Sequence, residues 1–239
     1  MADTKILTEG CKDFGISLTE KQTEQFLEYY KLLIEWNEVM NLTAITEFEE
    51  VLSKHFVDSC ALGKAVSMEG EKRLLDVGTG AGFPGIPLKI AFPDVEVVLL
   101  DSLNKRVKFL NEVIGQLGLS KITAVHGRAE DFARQKEYRE QFDLVVSRAV
   151  ANLSSLSEYC LPYVKVGGRF VSYKSGKLNE ELTAAQKAIH VLGGEAKEPV
   201  YFQLTGTEDE RSFVCIEKGK ATPKKYPRKA GTPAKEPIQ

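Results

Sequence analysis

The stretch "RLLDVGTGAGFPGIPL", residues 73–88, places four glycines and two prolines directly after a short apolar run. Such a run, followed by a glycine-rich turn and a helix, is typical of a strand–turn–helix unit in a parallel sheet. Glycine allows positive φ angles and lacks the Cβ atom that would hold a ligand away from the main chain. The loop therefore predicts a cofactor site at the carboxyl end of the first strand. Its expected contacts are Gly78, Thr79, Gly80 and Gly82.

Beyond this loop, short apolar segments alternate with helical stretches, which predicts an α/β fold with a mostly parallel sheet. The predicted strands are "RLLDV", "VEVVLL", "ITAVH", "FDLVVS" and "GRFVSYK". Helices are expected near Pro84, after Ser102, at 129–135, from Asn152 and near Asn179. Two final segments, "EPVYFQL" and "RSFVCIEK", are separated only by "TGTEDE" and predict an antiparallel hairpin at the sheet edge.

The chain before the sheet predicts helices. Ser17 with Glu20, and Thr46 with Glu49, match the spacing of a capping box, and apolar residues at helical spacing follow each pair. The first long helix is expected to end at Asn41. The connector "SMEGEK" then leads into the sheet.

Three segments are therefore expected: a helical N-terminal extension at 1–68, a sheet domain at 69–218 and a basic tail at 219–239. The tail carries six cations and one anion, a net charge of +5 in a chain of net charge −2. It contains four prolines and few apolar residues, so it is expected to be extended or disordered. Such a tail either improves solubility or steers the protein toward phosphate backbones.

Composition excludes several classes of protein. The chain has 239 residues, 43% of them hydrophobic, which is enough for a sizeable core. Its four cysteines and three histidines do not show metal-ligand spacing, so no metal is expected. No basic leader and no run of about 18 apolar residues occurs, which predicts a soluble cytoplasmic protein without membrane contact.

The loop leaves two cofactor classes open. "GAGFPG", residues 80–85, matches the dinucleotide fingerprint G-x-G-x-x-G. Three features favour S-adenosylmethionine over NAD: Asp76 stands just before the first glycine, Pro87 follows where N–H groups would have to bind a pyrophosphate, and a hairpin ends the sheet.

Two further positions are expected beside the cofactor. Asp101 ends the second strand, where an acid can hydrogen-bond ribose hydroxyls or instead cap the next helix. Ala129 and Glu130 follow the third strand, where this fold frames adenine, although Glu130 equally fits a solvated first helical turn.

Charged residues mark the neighbouring strand ends. Arg148 ends an apolar strand, so we expect it to bind a donor carboxylate or an RNA phosphate, with a salt bridge as the alternative. Lys174 lies at the same edge and is a candidate substrate contact. His55 and Asp58 share one helix face, and His55 is either a substrate contact or a packing residue.

The fourth strand limits the methyl acceptor. It lacks the Asn or Asp followed by two prolines and an aromatic that amine-directed enzymes carry there, and Cys160 belongs to an apolar helical pattern typical of a core. An acceptor with a free lone pair, such as N7 of guanine, needs alignment more than a general base. We therefore assign no catalytic residue from the sequence.

Five motifs together, "WNEVMNLT", "HFVDS", "LLDVGTGAGFPGIPL", "LLDSLNKRVKFL" and "SRAVANL", closely resemble the glucose-inhibited division protein B family between about residues 15 and 218. The resemblance implies a Rossmann-like class I methyltransferase fold with a seven-stranded sheet. It also implies methyl transfer from S-adenosylmethionine to guanine N7 in the decoding-region loop of 16S ribosomal RNA. By matching positions it implies donor contacts at Gly78, Phe83, Ala129, Glu130 and Arg148.

Two other functions remain open from the residues alone: a NAD-dependent oxidoreductase and a non-catalytic RNA-binding assembly factor. The expected partner is 16S ribosomal RNA, either naked or within the small subunit, and the expected state is a monomer.

Overall fold

The computed structural model describes residues 3–68, 72–148, 151–176 and 178–239. Residues 69–71 of the predicted connector at 67–72, directly after the boundary expected at residue 68, lie outside the described residues, as do two positions of "SRAVANL". Within the described ranges, no helix is both long and apolar enough to cross a bilayer.

A single sheet organises the molecule, in the order β3-β2-β1-β4-β5-β8-β6, with β7 also paired to β8. The first five strands run parallel, and β8 is antiparallel to β5, which confirms the predicted sheet and its closing hairpin. The strands are β1 Arg73–Val77, β2 Glu96–Asp101, β3 Ile122–His126, β4 Phe142–Arg148, β5 Val164–Lys174, β6 Gly194–Ala196, β7 Val200–Gln203 and β8 Glu210–Lys218.

The described residues form eight strands where seven are expected. β6 pairs with the carboxyl half of β8 and β7 pairs with its amino half, so two short strands occupy one edge position. The sequence hides β6 because its three residues follow the helical pattern "EELTAAQKAIHVLG" without a break.

Helices cover both faces of the sheet. The N-terminal segment supplies α1 Lys5–Asp13, α2 Glu20–Met40, α3 Phe48–Val51 and α4 Asp58–Cys60. The connections between strands contain α5 Gly85–Ala91, α6 Asn104–Gln116, α7 Ala129–Phe132, α8 Leu153–Cys160 and α9 Asn179–Val191, and the tail contains α10 Thr232–Lys235.

The long helix α2 begins with a different cap from the predicted one. Thr19 Oγ1 accepts the N–H of Gln22 at 3.3 Å, and Gln22 Oε1 accepts the N–H of Thr19 at 2.8 Å. This capping box replaces the predicted pair of Ser17 and Glu20. The helix ends as expected, because Asn41 takes a left-handed conformation with φ of 49°.

The second helical segment also differs at its start. α3 follows Glu47 without a side-chain cap, so the predicted pair of Thr46 and Glu49 is wrong. The helix widens into a π-helical stretch at Leu52–Val57 before α4. Such stretches are rare and recur at functional sites, and this one carries His55.

One continuous core joins the N-terminal helices to the sheet. Tyr29 and Phe56 stack with ring centroids 5.2 Å apart, and both rings contact Phe83 of the glycine loop. Gln22 Nε2 donates to the carbonyl of Ile90 at 2.7 Å. The N-terminal helices therefore pack against the side of the glycine loop that faces the core. On the opposite sheet face α8 and α9 cover a second core, in which Cys160 is fully buried.

The C-terminal segment is the main departure from expectation. Residues 219–239 do not extend away from the domain but pack against it, with Thr222 and Pro233 buried. Arg228 binds the carboxylate of Glu158, with its Nε 3.0 Å from Oε1 and an Nη 2.7 Å from Oε2. Composition does not reveal this packing, because the contacts that anchor the polar segment, such as those of Arg139 to the carbonyl of Thr222 and of Arg228 to Glu158, join it to distant parts of the chain.

Candidate cofactor cleft and acceptor groove

The glycine loop at 78–84 joins β1 to α5 and opens two depressions at the carboxyl ends of the parallel strands. One depression lies against β1, β2 and α7, and we call it the cofactor cleft. The other lies beside Arg148, and we call it the acceptor groove. Open α/β sheets bind ligands at this edge, where the strand order reverses between β1 and β4.

The loop glycines serve two different purposes. Gly80 has φ of 62°, and a Cβ there would meet nothing within 4 Å, so the loop is open at this point. A Cβ at Gly85 would instead lie 2.3 Å from Leu99 and 2.9 Å from a carboxylate oxygen of Asp76. Gly85 is thus required for packing α5 onto the sheet, whereas the space next to Gly80 is open.

The main-chain N–H groups of the loop are largely used within the protein. Those of Gly82 and Phe83 donate to the carbonyl of Thr79, and that of Gly85 donates to Asp76 at 2.9 Å. A dinucleotide pyrophosphate needs free N–H groups at the start of this helix. The loop therefore lacks the donors that the NAD alternative requires, although its sequence matches the fingerprint.

Asp76 is fully buried beneath the loop. Its Oδ2 accepts bonds from Thr79 Oγ1 at 2.7 Å and from the Gly85 N–H, while its Oδ1 has no partner among the described residues. Burial raises the pKa of Asp76 from 3.8 to about 7, although the bonds from Thr79 and Gly85 act in the opposite direction. The carboxyl group holds the loop in shape and loses its proton only near neutral pH.

Asp101 has a structural role, but it is not the predicted helix cap, because α6 begins after Leu103 without a side-chain cap. Its Oδ2 accepts the N–H of Gly80 at 2.9 Å, and its Oδ1 accepts the N–H of Leu103 at 2.8 Å beside the start of α6. Arg106 lies 3.5 Å from the same carboxylate. Asp101 thereby fixes the loop and the start of the helix together.

The cofactor cleft has a volume of about 390 Å³, within the range of small-molecule sites. Its lining comes from the ends of three strands, from α7 and α8, and from the C-terminal segment. The lining residues are Val77, Gly78, Leu100, Ser102, Gly127, Arg128, Ala129, Glu130, Tyr159 and Gly231. The structure thus brings Gly78, Ala129 and Glu130 together, as expected, but Glu130 Oε1 already accepts the N–H of Gly231 at 2.8 Å.

Arg148 is the centre of the second depression. One Nη lies 2.9 Å from Asp58 Oδ2 and 3.2 Å from the carbonyl of Lys54, and the other lies 3.3 Å from His55 Nδ1. The guanidinium carbon lies 5.0 Å from the centre of the Phe83 ring. Arg148 therefore links the π-helical stretch to the glycine loop, and its salt bridge to Asp58 realises the predicted alternative.

His55 is a neutral packing residue in this arrangement. Because a guanidinium only donates, Nδ1 must accept from Arg148, and Nε2–H then donates to Thr43 Oγ1 at 2.8 Å. Its ring stacks on Phe83 with centroids 4.5 Å apart. Burial, reinforced by the charge of Arg148, lowers the pKa of His55 from 6.5 to about 3. Both ring nitrogens are engaged, so His55 is not free to act as a base.

Lys174 lines the acceptor groove beside Arg148, as its position on the next strand predicts. Its ammonium group lies 2.6 Å from Glu181 of α9 and 3.3 Å from the carbonyl of Ala151. The groove has a volume of about 420 Å³. Its charged lining residues are Lys54, Asp58, Arg148, Lys174 and Arg211, and the neutral His55 lines it as well.

Sequence reasoning missed three contributors to these sites. Arg211, at the start of β8, lies 3.1 Å from Asp58 Oδ1, so two arginines hold one buried carboxylate. Tyr29 donates its hydroxyl to the carbonyl of Ala81 in the loop. Gly231 enters the cofactor cleft from the tail. Only the shared helix face of His55 and Asp58 gave a signal, because the other contacts join distant parts of the chain.

Among the described residues, no group of three or more His, Cys, Asp or Glu side chains is arranged to hold a metal ion.

Comparison with known proteins places this arrangement in a family. A family model described as "rRNA small subunit methyltransferase G" matches residues 22–212. A protein of that name from Lachnoclostridium phytofermentans is 57% identical and covers 100% of this chain and 98% of its own length. Another from Alkaliphilus metalliredigens is 52% identical, with both chains covered completely.

Solved structures show the same fold at low identity. TrmN from Thermus thermophilus aligns with a TM-score of 0.52 at 18% identity, over 70% of this chain and 53% of that one. TYW2 from M. jannaschii, solved in complex with AdoMet, aligns with a TM-score of 0.51 at 15% identity, over 65% of this chain and 73% of that one. These likenesses concern the fold alone.

Proposed function

Because this chain belongs to the GidB family of small-subunit ribosomal RNA methyltransferases, we propose that it methylates N7 of a guanosine in the decoding-region loop of 16S ribosomal RNA. The family match and the identity of more than half of all residues to full-length relatives carry this proposal. The methyl donor is S-adenosylmethionine, whose sulfonium group supplies a reactive methyl when bound.

The cofactor cleft fits the donor. The space above Gly80 and the cleft of about 390 Å³ accommodate a nucleoside, and the occupied loop N–H groups disfavour a pyrophosphate. We propose that Gly78 contacts the donor directly and that Thr79, Gly80 and Gly82 shape the loop beside it, with Phe83 and Arg148 at the end nearer the acceptor. We further propose that Ala129 and Glu130 frame the adenine.

For Asp101 we propose an indirect role in donor binding. Its carboxylate is engaged with Gly80, Leu103 and Arg106. It therefore fixes the position of the glycine loop, which we propose lies beneath the ribose of the donor. This role is compatible with the bond that Asp101 accepts from Leu103 beside the start of helix α6.

The acceptor groove would receive the guanine. Arg148 lies between the glycine loop and the groove, and Lys174 lies on the adjacent strand. Each groove cation already has an acidic neighbour, as Lys174 has Glu181. A phosphate of the RNA can therefore bind by replacing a carboxylate, which makes binding dependent on salt. We propose Lys174 as a phosphate contact and His55 as the support of Phe83 beneath the acceptor.

The chemistry asks little of the protein beyond alignment. N7 of guanine carries a lone pair and loses no proton when it is alkylated, so no general base is required. The neutral, fully engaged His55 agrees with this requirement. Arg148, held on two sides, restricts the approach to the donor. We assign it orientation and charge compensation in place of proton transfer.

The experiment that tests the function measures transfer of labelled methyl to three substrates: naked 16S RNA, an assembling particle and the mature small subunit. Mapping of the product identifies the base and the atom. Modification at guanine N7 in the decoding-region loop supports the proposal. Tight RNA binding without transfer in a single turnover would favour the assembly-factor alternative. Binding of NAD without binding of S-adenosylmethionine would favour the oxidoreductase.

We propose a cytoplasmic monomer as the active form.

A further inference from the structure

The C-terminal segment reaches the cofactor cleft after crossing α8. We define the C-terminal strap as residues 228–236. It lies beyond residue 212, where the match to the family model ends. Its backbone contributes Gly231 to the cleft lining, across from the strand ends. The strap therefore forms a wall of a site whose other walls belong to the sheet domain.

Three contacts fasten the strap. Arg228 binds Glu158 of α8 through its main-chain N–H at 2.7 Å and through its guanidinium. Ser155, one turn earlier on α8, donates its hydroxyl to the carbonyl of Pro233 at 2.7 Å. The Gly231 N–H donates to Glu130 at 2.8 Å. The strap is thus held on both sides of the point where it meets the cleft.

The anchor at Glu158 is a buried ion pair with hydrogen bonds from two guanidinium nitrogens. Only 1% of the Glu158 side chain is exposed, and a buried carboxylate needs hydrogen-bonded cationic partners to stay ionised. Arg228 supplies a bidentate contact, which is directional as well as charged. Tyr159, the next residue on α8, lines the cofactor cleft. The anchor and the cleft are therefore adjacent on one helix.

We propose that the C-terminal strap is a structural part of the donor site and positions Glu130 for the adenosine end of the donor. This inference rests on the proposed use of S-adenosylmethionine. The strap fixes Glu130 through one carboxylate oxygen, and the residue also lines the cofactor cleft. Arg228, Gly231 and Glu158 are accordingly positioning residues that act through Glu130 and through the shape of the wall.

The strap is distinct from the possible RNA arm in the same tail. Lys224 and Lys229 are exposed, and no anchoring contact involves their side chains in the described structure. The tail therefore divides its cations between two uses. Arg228 is committed to an internal anchor, whereas the lysines remain at the surface.

Calorimetric titration with S-adenosylmethionine tests the strap. We expect removal of residues 228–239 to weaken donor binding about tenfold or more, because a hydrogen-bonded wall of the cleft is lost. The same truncation with Glu158→Gln avoids leaving an unpaired buried charge and should show the same loss. The matched control, Lys224→Ala with Lys229→Ala, removes two tail charges but no anchor and should bind the donor like the intact chain.

A second measurement needs no variant. Hydrogen exchange of the main-chain amides at 229–232 and 234–236 should slow when the donor binds to the intact protein, because a ligand that binds only the folded site stabilises its wall against local opening. Wild-type donor affinity in a folded truncation, or unchanged exchange in the strap, would overturn the inference. If the intact protein itself did not bind the donor, the proposed function would fail first, so the two failures are distinguishable.

Discussion

Arg148 has one of its two predicted roles in the structure, the salt bridge, and we propose that it also has the other, a place at the site. It forms a salt bridge with Asp58, of which only 7% of the side chain is exposed, and it stands over the Phe83 ring. Structural pairing and a place at the site are usually treated as alternatives. We propose that here the pairing fixes the orientation of Arg148 that methyl transfer needs.

Replacing Arg148 by Ala should lower methyl transfer by about 100-fold, since the guanidinium orients the groups at the reacting end. We expect the free energy of unfolding to fall by only about 1–3 kcal/mol, because Arg211 still binds Asp58. Kinetics of labelled methyl transfer and urea unfolding measure the two effects. The control Arg169→Ala breaks only an exposed pair with Glu217 and should change neither quantity appreciably. Full activity of the Arg148 variant would contradict the assignment.

The raised pKa of Asp76 predicts how the free energy of unfolding depends on pH. Burial raises its pKa in the folded protein from 3.8 to about 7. Between these values the folded chain keeps a proton that the unfolded chain releases. This contribution to stability is complete below about pH 4 and is lost as the pH rises through about 7.

Asp76→Asn removes this titration while its amide oxygen can still accept the bonds from Thr79 and Gly85. Urea unfolding of both proteins at several pH values between about 4 and 8 measures the difference in their free energies of unfolding. We expect the advantage of the native Asp over Asn to shrink as the pH rises. A difference that does not vary with pH would show that Asp76 titrates normally.

At the scale of elements, the junction between β1 and α5 depends on close packing. Gly85→Ala would place a methyl group 2.3 Å from Leu99, so we expect a loss of about 1–3 kcal/mol in the free energy of unfolding. Gly115→Ala in α6 is the matched control, because its Cβ would meet nothing within 4 Å. Alanine there should stabilise the protein by about 0.5 kcal/mol. Equal effects at both sites in thermal unfolding would refute the packing argument.

Elements were predicted well wherever their signal is local. β1 and β3 have the expected bounds, and α2 ends at Asn41 as its sequence indicates. The helix starts were misplaced because Ser, Thr and Glu recur within a few residues of each other, so several registers satisfy the capping pattern. Tertiary contacts choose among them, since Gln22 caps α2 and also bonds the carbonyl of Ile90.

At the scale of the whole molecule, the N-terminal helices and the sheet share one core. Phe26, Tyr29 and Phe56 belong to the same buried cluster as Leu74 and Phe83. The division of the chain at residue 68 thus separates sequence segments whose buried side chains pack together. We propose that the two segments fold as one unit.

The intact chain should therefore unfold in a single cooperative transition. A fragment of residues 69–239 should lack a sharp thermal transition, because the face covered by Tyr29 and Phe56 would be exposed to water. Differential scanning calorimetry and near-UV circular dichroism measure both. A fragment that melts cooperatively near the temperature of the intact chain would show that the extension folds separately.

The sequence by itself determined the succession of strands and helices apart from β6, the position of the glycine loop and the family, because apolar runs, glycines and ordered motifs are local features of the chain. The tertiary structure decided which loop glycine is needed for packing, which acids hold the loop and where the tail lies. Arg228 and Glu158 are 70 residues apart in the sequence, and Arg148 and Asp58 are 90 residues apart. Pairs so distant leave no periodic trace, and only the packing of the sheet and its helices brings their charges together and buries them.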